Sequence, residues 1–232
     1  MSYGPFIQKD FEIIYLQGFT QTKYTGQLKP ANYKNIIFDL GGVLLNLDFT
    51  RTEKAFAELG LTDFESIYSK SKQEQLFDVF EKGEMSAAQF RNEMRKYLHE
   101  NTNDEQIDQA WNAMLLDLPK ERLELLHKLK NDHSLFLLSN TNEIHFNSFT
   151  SYFAKAHGLK DLSHIFINEY FSHKVGMRKP DAEIFEYVLK ENGLDPAQTL
   201  FIDDSVQHIE GARKIGINAR WLEKGESILD LF

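Results

Sequence analysis

The apolar residues change rhythm twice along the chain. Asn35–Leu40 reads NIIFDL, a short apolar run that ends on an acid and meets Gly41-Gly42 at once. That is the pattern of a buried parallel strand emptying into a tight turn. From Thr50 to about Leu118 the apolar positions fall at helical spacing. The blocks are Ala55, Phe56 and Leu59; Leu76, Phe77, Val79 and Phe80; Phe90, Met94 and Leu98; and Ile107, Ala110, Trp111, Met114 and Leu115. Gly60, Gly83 and Asn101–Asp104 punctuate them, and Thr62 and Ser86 are candidate N-caps. About four short helices with no strand are expected here, forming a helical insert.

Beyond the insert, helix and strand alternate. Helices are expected at Lys120–Asn131, His145–Ala156, Asp181–Asn192 and Ile209–Ile215. Strands are expected at Ser134–Leu138, Ile165–Asn168, Thr199–Ile202 and Ile217–Trp221. This alternation implies an α/β fold with a parallel sheet covered on both faces. The expected division is an N-terminal extension at 1–32, a core at 33–49 and 118–232, and the helical insert at 50–117. The extension is polar and aromatic with poor periodicity, and one short strand is expected at Phe11–Leu16.

Length and charge narrow the function classes. The 232 residues suit one large domain, or a core with a small insert. Lys and Arg total 26 against 35 Asp and Glu, a formal net charge of −9. That balance disfavours a nucleic-acid backbone or an anionic membrane surface as partner. The chain has no cysteine, which excludes disulfides, thiolate metal sites and cysteine nucleophiles. Met1–Asp10 lacks a basic patch followed by an apolar run, and no apolar stretch reaches 18 residues. A cytoplasmic location is the expectation.

Ligands of parallel α/β sheets bind beyond the carboxyl ends of the strands. The expected strands end at Asp39, at Ser139, and at Asp203 and Asp204, all on one edge. Lys179 follows in a Gly-Met-Arg-Lys-Pro turn just before a helix. One cleft would then hold three carboxylates, a hydroxyl and an ammonium group. Three carboxylates repel one another unless a cation intervenes. Oxygen ligands alone favour a hard divalent ion, most simply Mg²⁺. A carboxylate beside such an ion can attack phosphorus and form an aspartyl-phosphate. Lys179, the Ser139 hydroxyl and backbone N–H groups after Asp39 could hold the phosphoryl oxygens. No Gly-Lys-Ser/Thr follows Gly41-Gly42 and no GxGxxG is present, against P-loop and dinucleotide readings. The histidines show no HxH or HExxH spacing, against zinc.

FDLGGVL at Phe38–Leu44, LLSN at Leu137–Asn140, Lys179 before a proline, and IDDS at Ile202–Ser205 resemble the four motifs of the haloacid dehalogenase-like (HAD) superfamily. Order and spacing agree, with 100 residues from Asp39 to Ser139, 40 more to Lys179 and 24 more to Asp203. The resemblance covers about residues 34–222 and implies a Rossmannoid core. It implies Asp39 as nucleophile and metal ligand, and Ser139, with Asn140 beside it, as phosphate binder. It implies Lys179 as the charge-screening lysine, Asp204 as direct metal ligand and Asp203 as its water-mediated helper. Gly41 would offer its carbonyl to the metal, and the Gly41 and Gly42 backbone would line the phosphate. The helical insert matches the position of a C1-type cap.

One departure stands out. Most phosphatases that this sequence resembles carry a second Asp, the general acid and base, where it has Gly41. General-acid help is worth about 10²–10⁴ in rate. Asp48 or a cap residue could substitute, the leaving group could need less help, or turnover could be slow. GMRKPD at Gly176–Asp181 resembles a bacterial subgroup that includes α-D-glucose-1-phosphate phosphatases, whose anomeric leaving group is comparatively acidic. Asn46 stands where many relatives have Asp, and His208 where close ones have Asn. His173 is a further candidate for the cleft. Arg178 could be an ion-pair or a site residue, and Trp111 suits a core position. The resulting expectation is a Mg²⁺-dependent phosphomonoester hydrolase acting on a small phosphorylated metabolite, with a sugar phosphate foremost. A 2-haloacid dehalogenase and a phosphate-binding protein with little turnover are the alternatives, and the oligomeric state stays open.

Overall fold

The computed structural model describes residues 32–61, 63 and 76–232. Its frame is a five-stranded parallel sheet of β1 (Asn35–Phe38), β2 (Ser134–Ser139), β3 (Asn168–Phe171), β4 (Thr199–Asp203) and β5 (Asn218–Trp221). The spatial order is β3-β2-β1-β4-β5. The first strand therefore lies at the centre, pairing β2 from Asn35↔Ser134 and β4 from Asn35↔Thr199.

The apolar runs follow from burial on both faces, as parallel sheets require. Successive side chains of a strand point to opposite faces. Ile36 and Phe38 join Leu135, Leu137, Leu200 and Ile202 in one core, while Ile37 joins Phe136, Leu138 and Phe201 in the other. Helices α5 (Lys120–Leu129) and α6 (Glu143–His157) cover the first face with Leu123, Leu126, Phe149 and Phe153. Helices α8 (Ala182–Asn192) and α9 (Val206–Lys214) cover the second with Ile184, Phe185, Val188, Ile209 and Ala212. A single turn, α7 (Ser172–Val175), follows β3.

The third strand begins at Asn168, where the sequence reading ended it. Ile165 and Phe166 are buried, but they sit in the turn before the strand as part of the first core. Ladder pairing starts one step later, with Asn168 opposite Phe136. The expected strand at Phe11–Leu16 and the cap at Thr62 lie outside the described residues. Among the described residues, no helix is long and apolar enough to cross a membrane.

Between β1 and β2 the chain forms α1 (Phe49–Glu58), α2 (Leu76–Glu81), α3 (Ala87–Arg95) and α4 (Asp104–Asn112). Ser86 and Asn103 each start a helix with a complete capping box. These helices share an aromatic core of their own. Phe80 stacks on Phe90 at 4.3 Å, and Phe77 stacks on Trp111 at 5.5 Å between ring centres. Two linkers tie this helical cap to the sheet layer, and they run antiparallel to each other. Asn46 N–H donates to the Asp117 carbonyl at 2.8 Å, and Asp48 N–H to the Met114 carbonyl at 2.9 Å. The Asn46 side chain adds a bond to Asp117 Oδ1 at 2.9 Å.

Candidate active site

The carboxyl edge of the sheet gathers the expected residues. Asp39 follows β1 directly, Ser139 ends β2, Asp203 ends β4, and Asp204 is next in the chain. Lys179 enters from the loop before α8. Its Nζ donates to Asp39 Oδ1 at 2.8 Å, to Asp203 Oδ2 at 2.6 Å and to the Leu138 carbonyl at 3.0 Å. An ammonium has three donors, and here all three are used. Lys179 is fully buried, a costly position that only paired charge permits. Its backbone is pinned by Asn140, whose Oδ1 accepts from Lys179 N and whose Nδ2 donates to Lys179 O, both at 2.9 Å. The Asn140 amide is therefore committed to seating Lys179. Ser139 is buried, and its Oγ makes a 3.4 Å contact with the Asn140 carbonyl.

Asp39, Asp203 and Asp204 each bring a carboxylate oxygen within 4.8 Å of the others. Their electrostatic states differ. Burial works to raise Asp203, but Lys179 and His208 outweigh it and hold the carboxyl at about 2. Asp203 Oδ1 also accepts from Ser205 N at 2.7 Å, and His208 Nδ1 donates to both of its oxygens at 2.9 and 3.0 Å. Burial pushes Asp39 up to about 6 even though Lys179 opposes it. Asp204 keeps an open face, yet crowding by protein and the charges of Asp39 and Asp203 push it to about 7. Two carboxyls so short of positive charge, with oxygen donors only, fit a hard divalent cation.

The turn after Asp39 makes room for this cluster. Gly42 has φ of 72°, and a Cβ there would overlap Asp204 Oδ2. Its N–H donates to the Leu45 carbonyl at 2.9 Å. Gly42 thus makes room for Asp204 by lacking a side chain. At Gly41 an added Cβ would meet Leu47 Cδ1 at 2.9 Å.

The family model for haloacid dehalogenase-like hydrolases matches residues 33–216. The chain belongs to that family. D-ribitol-5-phosphate phosphatase of Bacteroides thetaiotaomicron is 31% identical over 83% of this chain and 93% of its own length. A solved HAD family enzyme from the same organism, in complex with magnesium and inorganic phosphate, superimposes with a TM-score of 0.76 at 36% identity. It covers 86% of this chain and 99% of that one. A HAD-like hydrolase of Porphyromonas gingivalis has a TM-score of 0.77 at 30% identity, over 86% and 95% of the two chains.

The other candidates in this HAD-like hydrolase fall into place around the cleft. Asp48 is the N-cap of α1 and accepts from Thr50 N at 3.1 Å. Its hydrogen bonds to Thr50, with Arg51 nearby, hold its carboxyl below the ordinary value. It is therefore poorly suited to replace the missing acid. His173 packs between Phe146 and Phe171, and burial pushes it down to about 4. No hydrogen bond or ion pair links it to Asp39, Lys179 or the acid pair, so its expected approach to the cleft is not seen. Trp111 is a core residue, as expected. Arg178 is an ion-pair residue reaching the cap. His208 is the neighbour whose importance sequence spacing understated: its place on the first turn of α9 aims it back at the end of β4.

Proposed function

We propose that this HAD-like hydrolase is a Mg²⁺-dependent phosphomonoester hydrolase acting on a small sugar or polyol phosphate. The observation that carries this reading is the Lys179-centred cluster at the carboxyl edge. One ammonium is shared between Asp39 and Asp203, and Asp204 has no ion pair of its own among the described residues. Asp39, Asp204 and the Gly41 carbonyl would hold Mg²⁺, with Asp203 behind them. The ion would supply positive charge to the phosphoryl oxygens and to the carboxylates.

Asp39 Oδ attacks phosphorus, the P–O bond to the alcohol breaks, and an aspartyl-phosphate forms on Asp39. Water then attacks that phosphorus and regenerates the carboxylate, releasing inorganic phosphate. Lys179 holds Asp39 in place for attack and offsets negative charge as the phosphoryl group arrives. The Ser139 hydroxyl would contact a phosphoryl oxygen. Gly41 has no side chain, so the protein offers no acid at that position and the leaving oxygen takes its proton from solvent water. The named activity of the Bacteroides relative, on D-ribitol-5-phosphate, supports a polyol or sugar phosphate as the substrate class.

The test is phosphate release from a panel of sugar, polyol and nucleotide phosphates, with Mg²⁺ and again with excess chelator, on wild type and Asp39→Asn. Metal-dependent release concentrated on sugar or polyol phosphates and lost in Asp39→Asn is the expected result. Halide release from a 2-haloacid that survives chelator would overturn it in favour of a dehalogenase. Binding of phosphate without turnover across the panel would overturn it in favour of a phosphate-binding protein.

A further inference from the structure

The cap meets the sheet layer on two sides of contrasting chemistry. One side is buried and mixes ring stacking with hydrogen bonds. Trp111 stacks on His145 at 5.0 Å, its Nε1 donates to Asn142 at 3.4 Å, and Ile144 is part of the cap's own core. The other side is ionic and partly open, and Arg178 is at its centre. Arg178 Nε and Nη2 donate to Glu81 Oε2 at 2.9 and 2.8 Å, and Nη1 lies 2.8 Å from Asp78 Oδ1. Lys82 Nζ lies 3.6 Å from Asp181 Oδ2 in the same seam. Gly83 fits against the backbone of His173 so closely that a Cβ would overlap its carbonyl oxygen.

Arg178 is the residue before Lys179. Its side chain goes out to the cap while that of Lys179 goes inward to Asp39 and Asp203. Asn140 clamps the peptide groups of Lys179 between them. The position of helix α2 is therefore fixed to the same short loop that seats the charge-screening lysine. The contact on one side is buried. Partly exposed ion pairs on the other are individually weak and reversible. A fork of three guanidinium contacts adds geometry that a single ammonium cannot supply.

We propose that Arg178 is a positioning residue. It latches the cap, through Asp78 and Glu81, in register with the Lys179 loop. This rests on the phosphatase reading for its consequence in turnover, but the latch itself can be measured without turnover.

The chain has no native cysteine, so a spin-label pair at Gln109→Cys and Glu186→Cys reports the cap-to-core distance cleanly. Wild type should give one narrow distance distribution. Arg178→Met, and separately the cap-side pair Asp78→Asn with Glu81→Gln, should broaden it and shift it to longer distances. Arg178→Glu combined with Glu81→Arg should narrow it again. In steady state, Arg178→Met should raise KM for a polyol phosphate about tenfold, the scale of two partly exposed charge pairs lost together. The KM of acetyl phosphate, too small to need the cap, should change less than threefold. An unchanged distance distribution in both Arg178→Met and the cap-side pair would overturn the latch. So would equal loss of activity on both substrates, which would place Arg178 in the cleft chemistry. If no phosphate ester is turned over at all, the phosphatase reading fails while the distance measurement still decides the latch.

Discussion

Gly42 and Asp204 share one space: the carboxylate of Asp204 lies where the first side-chain atom of residue 42 would have to be. Gly42→Ala must either push Asp204 away or distort a turn that already has φ of 72°. A side chain at a positive φ costs more than about 1 kcal/mol of stability. Mg²⁺ affinity should fall about 10- to 100-fold, as it does when a ligand is misdirected. Calorimetric Mg²⁺ titration of the folded variant reads the effect, and an affinity equal to wild type would show that Asp204 is not a ligand.

Lys179→Met removes the only ammonium within reach of Asp39 and Asp203 among the described residues and leaves both carboxylates buried against Asp204. Breaking a buried ion pair from one side costs about 3–5 kcal/mol. The variant should unfold at markedly lower temperature than wild type without metal. Mg²⁺ should recover part of the loss, because a cation then stands near the orphaned acids. A melting temperature indifferent to the substitution would contradict the role given to Lys179 in holding the sheet edge together.

The metal-free protein should have a stability maximum in mildly acidic solution. Asp39 and Asp204 are raised to about 6 and about 7 in the folded chain, so their contribution is complete below the ordinary carboxylate value and is lost as pH rises through 6 to 7. Asp203 is lowered to about 2, so its contribution is present above the ordinary value of 3.8 and is lost as pH falls towards 2. Thermal melts in chelator should therefore decline between about pH 4 and 7, and saturating Mg²⁺ should flatten that decline. A decline of the same steepness with and without Mg²⁺ would argue against a cation among these carboxyls.

His208 bonds both oxygens of Asp203. His208→Ala should lower kcat about 10-fold with a smaller change in KM, the pattern of a lost neighbour to a ligating group. His208→Asn, which can still donate one hydrogen bond, should recover most of it. Failure of Asn to do better than Ala would assign the histidine to packing alone.

Much of this was legible in the chain because two simple rules agree. Strand interiors such as Ile36–Phe38 and Leu135–Leu138 are apolar without interruption, since both faces are covered. Polar residues at their carboxyl ends then fall on one edge, which is why Asp39, Ser139, Asp203 and Asp204 could be grouped. What spacing does not carry is the direction of a hydrogen bond. Asn140 sits beside Ser139 in sequence but turns its amide to Lys179, and the Gly42 N–H turns to Leu45. The start of the third strand is not legible, because Ile165 and Phe166 are as apolar as a strand yet are buried ahead of it. The partners of Arg178 lie about a hundred residues away on a cap helix, beyond any local pattern.

The central place of β1 has a consequence for how the protein is made. Its neighbours are drawn from residues 134–137 and 199–202, so the middle of the sheet closes only after two very long loops have been drawn in. Contacts so distant along the chain form late and slowly. Asp39 leaves the ribosome early and waits for Lys179, Asp203 and Asp204, which come in the last quarter of the chain. A nascent or truncated chain therefore holds a lone carboxylate with no counter-charge, and hydrolytic competence arrives all at once, with the last strands to join.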